Sequence, residues 1–432
     1  MIHKMITVFK LIRKSLRAPY FGFVQGHAHV SQKELQKIKV LVGEKSDGIV
    51  SDFETQFAKL VGNGQAVSFA AGRMGFYSLM SVLGIKEGDE VILLGATCAV
   101  MVHAVLKTGA TPIFSDIDPH TFGSSAKNIE SCLTLRTKMI VAQHSFGIPC
   151  DIEPIVELAK SRNIFLLEDC ALTLGSKVNG TIVGNYGDAA LFSTDHSKPL
   201  NTLIGGLMYT QNVALAYKLR LFQSACPELS KDKQKALWHR LLLEKDICTP
   251  DRYARMDLVD RIESLRNRIL QLPSPFLSDD FSPYLLASYP YPAKMPAFLA
   301  KLGLLELCRW PQVALERRAI LKSFLADFRN RATAKNIPFA YSDERIDIVP
   351  LRFAWHQHDG TSFRNSIEQF IHVPWTWFMQ PIIATSTPLE RFQYRYGSCP
   401  ISEKIGPNMV NIPCNVLPDE AKKIVQLLKE IA

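Results

Sequence analysis

Between Val67 and Thr210 short β-type runs alternate with helical stretches, and this alternation constrains the fold more than any other feature of the chain. The β-type runs are Val67–Ala70, Val91–Leu94, Pro112–Asp116, Met139–His144, Ile164–Glu168, Ala190–Thr194 and Leu207–Thr210. Helical stretches between them include Gly72–Leu83, Ala99–Lys107 and Ile152–Lys160. Several of the runs are continuously apolar, which suits strands covered on both faces. Strands joined through helices pair in parallel, so the expectation is an α/β fold with a mostly parallel sheet in a large domain. Ligands of such sheets sit just beyond the carboxyl ends of the strands, and those ends are where chemistry is to be sought.

Beyond Gln211 the texture changes. Residues 214–272 read as charge-rich helix, Pro273–Pro292 as an irregular crossover, and Ala293–Arg329 as one or two long helices with Arg317 and Arg318 on a solvated face. Phe339–Phe378 mixes short strand candidates with loops, and Pro418–Ile431 reads as a short amphipathic helix. The expected division is an N-terminal basic arm (residues 1–38), a large domain with a helical extension (39–285) and a smaller α+β C-terminal domain (286–432). The first 33 residues hold no Asp or Glu. Ile2, Met5, Phe9, Ile12 and Leu16 recur there at spacings of three and four beside Lys4, Lys10, Arg13, Lys14 and Arg17. This is a basic amphipathic helix, expected to pack on its own domain or on a partner subunit, with an anionic membrane surface as the alternative.

Fifty basic residues against 41 acidic ones give a net charge of +9, which favours anionic partners. Zinc-finger spacing, RNP-like aromatic motifs and long Lys/Arg blocks are lacking, which argues against nucleic acid; a phosphorylated small molecule satisfies the same charge bias, and so does a mildly basic surface without a specific role. The nine cysteines are scattered without a CxxC pair, which points to reduced thiols in the cytoplasm and to no metal site. No apolar run approaches the roughly 18–20 residues that cross a bilayer, and Lys10, Arg13 and Lys14 break the pattern of a signal peptide.

The residues that carry chemistry cluster at strand ends. Lys198 follows the Ala190–Thr194 run by four residues, in a turn of small polar residues, where a desolvated lysine can lose its proton and form a Schiff base. Asp169 is delivered by the Ile164–Glu168 run, and a buried carboxylate there needs a cationic partner. Pyridoxal 5′-phosphate uses both groups, a lysine for its aldehyde and a carboxylate for its ring nitrogen. Its phosphate needs donors, and Ala71, Gly72 and Arg73 lie where a strand turns into a helix, with Ser193 able to add a hydroxyl. On the residues alone, Lys198 as an ordinary surface lysine and Asp169 as a cap or arginine partner remain open.

Taken together, these residues and the segments around them resemble the DegT/DnrJ/StrS sugar aminotransferases, which have the fold-type I architecture of PLP enzymes. The resemblance is colinear from Phe53-Glu54-Thr55-Gln56-Phe57-Ala58 to Gly206. It runs through Gly88-Asp89-Glu90-Val91, Thr108-Gly109-Ala110-Thr111-Pro112, Asp116-Ile117-Asp118-Pro119, Phe146-Gly147 and Glu168-Asp169-Cys170-Ala171, and resumes at Met295–Arg318 and Asn411-Ile412-Pro413. It implies that Lys198 carries the cofactor, Asp169 faces the pyridine nitrogen, and Ser193 with Ala71, Gly72 and Arg73 holds the phosphate. The family usually places a threonine where Arg73 stands, an aromatic ring at Cys98 and a glutamine at Leu172, so Cys98 and Leu172 are counted among the cofactor-contacting positions. His196, beside the lysine, and His144, ending a strand, are candidates for substrate contact or a proton relay, with a structural role as the alternative for each. The implied activity is a PLP-dependent transaminase that takes an amino group, with glutamate as donor, to a nucleotide-linked keto-sugar in glycan or polysaccharide biosynthesis. A homodimer is implied as well. The alternatives are a PLP-dependent sugar dehydratase, against which Lys198 argues because histidine replaces the lysine there, and a non-catalytic or regulatory protein of the same fold.

Overall fold

The structure, a computed structural model, describes residues 12, 14–22, 26–277, 290–329, 336–373 and 378–431. Seven strands build its central sheet: β1 (Gln65–Phe69), β2 (Glu90–Leu94), β3 (Thr111–Ser115), β4 (Thr137–Gln143), β5 (Phe165–Asp169), β6 (Ala189–Ser193) and β7 (Gly206–Thr210), in the order β1-β7-β6-β5-β4-β2-β3. From β3 to β6 every neighbour pair is parallel. The loop between Ser193 and Gly206 carries no helix to cross the sheet, so β7 returns antiparallel to β6 and then pairs antiparallel with β1. Each β-type run coincides with one of these strands, and the largest offset, two residues, falls at the starts of β1 and β4.

Helices α1 (Gln32–Lys39) and α2 (Asp47–Val61) precede the sheet, and α3 (Gly72–Val82), α4 (Ala99–Thr108) and α5 (Ile152–Arg162) follow β1, β2 and β4. A capping box at Ser31 and Glu34 starts α1, and the left-handed residues Gly109 and Asn163 stop α4 and α5. Then come α6 (Val213–Ser224), α7 (Lys231–Ile247), α8 (Met256–Ile269) and the long α9 (Ala297–Phe328). The C-terminal part pairs β8 (Arg352–His356) with β9 (Met409–Pro413) antiparallel, and adds α10 (Gly360–Ile367) and α11 (Pro418–Ile431).

Buried side chains form two clusters. One surrounds the central sheet and includes Phe69, Ile92, Val141, Leu167 and Leu207. The other surrounds Phe353, Trp355, Ile412 and Leu428. Helix α9 belongs to both, with Phe298, Leu299 and Leu302 in the first and Ile320, Leu321 and Phe324 in the second. Where α9 passes between them, Arg317 departs from the expectation of a solvated face: it is only 5% exposed. Its guanidinium donates to the carbonyls of Pro350 and Pro199 and lies over the Trp310 ring. Helical spacing alone does not reveal that both sides of this turn are covered. Arg318, one residue on, is partly exposed and pairs with Asp347 at 2.8 Å.

Most of the basic helix expected from Ile2 to Leu16 lies outside the described residues. From Lys14 onward the arm packs on its own chain. Lys14 Nζ meets Asp257 at 2.7 Å, the Tyr20 and Phe21 N–H groups donate to Pro250 and Phe370, and the His372 N–H donates to Phe21. Among the described residues no helix is long and apolar enough to cross a membrane.

Candidate active site

At the carboxyl ends of β5 and β6 a cavity of 460 Å³ is lined by Ala71, Gly72 and Arg73 from the start of α3, Cys98 from the start of α4, Asp169, Leu172, Ser193, His196 and Lys198. The structure therefore brings every residue singled out in the sequence to one place, except His144.

Asp169 is the last residue of β5, paired on either side with Gln143 of β4 and Leu191 of β6. Four per cent exposed, it accepts a 2.9 Å hydrogen bond from the Ala171 N–H. Burial pushes its carboxyl above the ordinary value, while the Ala171 N–H, Lys198 and His144 pull the other way. A carboxylate held like this calls for a cation beside it. Lys198 sits in the loop after β6, where its N–H donates to the Asp195 carbonyl at 2.9 Å.

Helix α3 starts at Gly72, after Ala71, whose extended backbone precedes the helix without a side-chain cap. A helix start that lines a cavity is a place where backbone N–H groups and the helix dipole favour an anion. The start of β7 backs onto this turn: a Cβ on Gly206 would stand 2.3 Å from Gly72 Cα. Ser193 ends β6 beside them, its Oγ accepting from the Asp195 N–H. An amine, a buried carboxylate and a helix start around one cavity fit pyridoxal 5′-phosphate.

His196 reaches the cavity with two neighbours. Its Nδ1 lies 2.9 Å from Asp195 Oδ1, though not aligned as a hydrogen bond, and its ring packs 4.5 Å from that of Phe276. Burial lowers the histidine's pKa but the Asp195 carboxylate more than offsets it, leaving it raised. Asp195 is held below the ordinary carboxyl value, His196 and Lys198 outweighing its burial. Cys98 stands on a short parallel pairing of Thr97–Cys98 with Ile382–Ile383, which brings Ile383 to the same wall. Leu172 is buried and belongs to the second cluster.

His144 is not part of the lining. Fully buried, it turns Nε2 to Glu168 at 3.2 Å and accepts at Nδ1 from the Cys150 N–H. It lies with Glu168 and Cys170 inside a 4.8 Å cluster of metal-ligating atoms. Both Glu168 oxygens already accept backbone N–H groups, from Gly184, Tyr186 and Gly187. The cluster ties the strand end to the loop after it.

Sequence reasoning missed the opposite wall. Arg240 and Glu244 of α7, Asp257 and Asp260 of α8, and Phe276 line the same cavity. Arg240 donates to Glu244 at 3.0 Å and to Asp260, and its guanidinium lies 4.8 Å from the centre of the Phe276 ring. The charge-rich texture of residues 214–272 was the available signal. It does not say which cavity such a segment covers.

The sheet order, the short β6–β7 return and the lysine on it define the fold-type I α/β architecture. A profile of the DegT/DnrJ/EryC1/StrS aminotransferase family matches residues 34–429, and the chain belongs to that family. It is 43% identical over 166 residues to GDP-perosamine synthase of Escherichia coli O157:H7, covering 38% of this chain and 46% of that protein. It is 37% identical over 168 residues to UDP-N-acetyl-3-dehydro-alpha-D-glucosamine 3-aminotransferase of Acidithiobacillus ferrooxidans, covering 39% and 46%. The matches thus span about half the length of these relatives. The aminotransferase of Psychrobacter cryohalolentis superposes with a TM-score of 0.70 at 20% identity, over 93% of this chain and 96% of that one. S. venezuelae DesV does so with 0.71 at 19%, over 96% and 98%. At such identities these two likenesses speak for the fold.

Proposed function

We propose that the chain is a PLP-dependent aminotransferase acting on a nucleotide-linked keto-sugar in glycan biosynthesis, with glutamate as amino donor. The observation that carries this reading is the meeting of Lys198, Asp169 and the start of α3 around one cavity. Relatives named for GDP-, UDP- and dTDP-linked sugars support the substrate class and leave the nucleotide to experiment.

The Ala71–Arg73 turn and Ser193 would hold the cofactor phosphate, Asp169 would partner the ring nitrogen, and Cys98 and Leu172 would line the space for the ring. When bound, the cofactor supplies an electron sink for the carbon that loses or gains the amino group. Lys198 Nζ anchors the cofactor and, once released, takes a proton from that carbon and returns it, which requires the neutral amine. Asp169 would favour the protonated form of the ring nitrogen, on which that electron demand depends, because an opposite charge stabilises a cation. The wall of Arg240, Phe276 and His196 excludes water and shapes the space left for the sugar. His196 is the lining group placed to contact substrate. The chain works as a cytoplasmic homodimer in this reading, its division into arm, large domain and small domain falling near residues 38 and 285.

The test uses the purified chain with added cofactor. Borohydride should fix the cofactor on the peptide that contains Lys198, and glutamate should convert the visible absorbance to that of the amine form. A panel of nucleotide-linked keto-sugars read by mass spectrometry then identifies the acceptor. A chain that binds the cofactor and converts with no amino donor is not a transaminase.

A further inference from the structure

Helix α8 is turned inside out. Its inward side spends its polar groups on its own chain: Asp257 takes Lys14 at 2.7 Å, Asp260 takes Arg240, and Glu263 takes His239 at 3.0 Å, while Met256 is buried. Facing solvent are Ile262, Leu265 and Ile269, which are 56, 60 and 70% exposed. Their spacings of three and four put them on one stripe. Leu270 and Leu272, also exposed, continue the apolar surface at the helix end. At about 100° per residue, Arg261 and Arg268 flank the stripe on one side and Arg255 and Arg266 on the other. Arg266 pairs with Glu263. Among the described residues no carboxylate meets Arg255, Arg261 or Arg268.

We propose that the outer face of α8 is a docking surface for an anionic lipid bilayer. An apolar stripe of large side chains bordered by arginines is what lies in the boundary between acyl chains and acidic headgroups. Charge complementarity selects this occupant over a second copy of the chain. Two copies packed stripe to stripe would set the arginines of α8 against one another, and the three carboxylates of this helix are already held within their own chain.

The experiment is co-sedimentation of the full chain with vesicles of phosphatidylcholine alone or mixed with phosphatidylglycerol. The wild type is expected to bind only the mixed vesicles and to be released by salt. Two variants, I262S/L265S/I269S and R261S/R268S, should each lose roughly tenfold or more in partitioning, since each basic residue near such a surface contributes about 1 kcal/mol. Thermal melting checks that both are folded, and the arginine pair, being exposed, keeps the test open should the apolar triple fail. The proposal is overturned if the wild type ignores the mixed vesicles, or if both folded variants bind as the wild type does. It is equally overturned if the apolar variant shows, by light scattering, that the stripe holds two copies of the chain together.

Discussion

A Cβ on Gly206 would stand 2.3 Å from the Cα of Gly72. The first residue of β7 and the first residue of α3 therefore touch backbone to backbone, directly behind the amides expected to hold a phosphate. Any side chain at Gly206 pushes that turn into the cavity. Overpacking of this kind costs about 1–3 kcal/mol. The G206A variant should show a lower denaturation midpoint in urea and weaker cofactor binding, measured by absorbance titration.

Lys198 and Asp169 separate the catalytic reading from a structural one. K198A should keep its melting temperature while the half-reaction with glutamate slows by about 10²–10⁴-fold, the usual contribution of a positioned acid–base group. D169N keeps the Oδ1 acceptor for the Ala171 N–H and removes the charge. It should fold, bind the cofactor more weakly and slow the same half-reaction. Stopped-flow absorbance reads both, and an unchanged rate in either variant would refute the assignment of that residue.

Arg240 joins Glu244 and Asp260 across the outer wall of the cavity. Glu244 is fully buried, with His27 at 3.7 Å and Asn201 at 3.3 Å as its other polar neighbours. Removing the guanidinium leaves a buried carboxylate short of its main partner, a loss of about 3–5 kcal/mol. R240M should be destabilised by that order. The double variant R240M/E244L should recover much of the loss, because no uncompensated charge remains. Urea unfolding of the wild type, R240M, E244L and R240M/E244L gives the coupling.

The Asp195–His196 pair predicts a pH dependence of stability. The His196 pKa is raised from its ordinary 6.5, so its contribution is complete below that value and is lost as pH rises through the higher folded value. The Asp195 pKa is lowered from 3.8, so its contribution is complete above that value and is lost as pH falls through the lower one. The pair thus acts in full between 3.8 and 6.5. The gap in melting temperature between wild type and H196Q should be widest inside this window and should shrink on its alkaline side.

Some parts of the molecule are legible in the order of its residues and others are not. The runs around Val91–Leu94 and Ala190–Thr194 declare buried strands, because a strand covered on both faces must be apolar at every position. Asp169 and Lys198 stand out because a polar residue following such a run is placed at a strand end. His144 followed the same logic and pointed elsewhere: a residue just past a strand is placed by its position, but its ring is turned by its partners, here Glu168 and the Cys150 N–H. Arg317 misled for a related reason, since the spacing within α9 carries no trace of the second cluster covering its other side.

The order of strands, the helices between them and the location of the amine and the carboxylate at strand ends were determined by the sequence itself, through local patterns of burial and turn formation. The outer wall was decided only in three dimensions. Contacts of Arg240 with Asp260, of Glu244 with His27 and of Phe276 with His196 join residues that are 20, 217 and 80 positions apart. Pairings of that range leave no periodicity in the chain, because each depends on where the whole fold brings the partner.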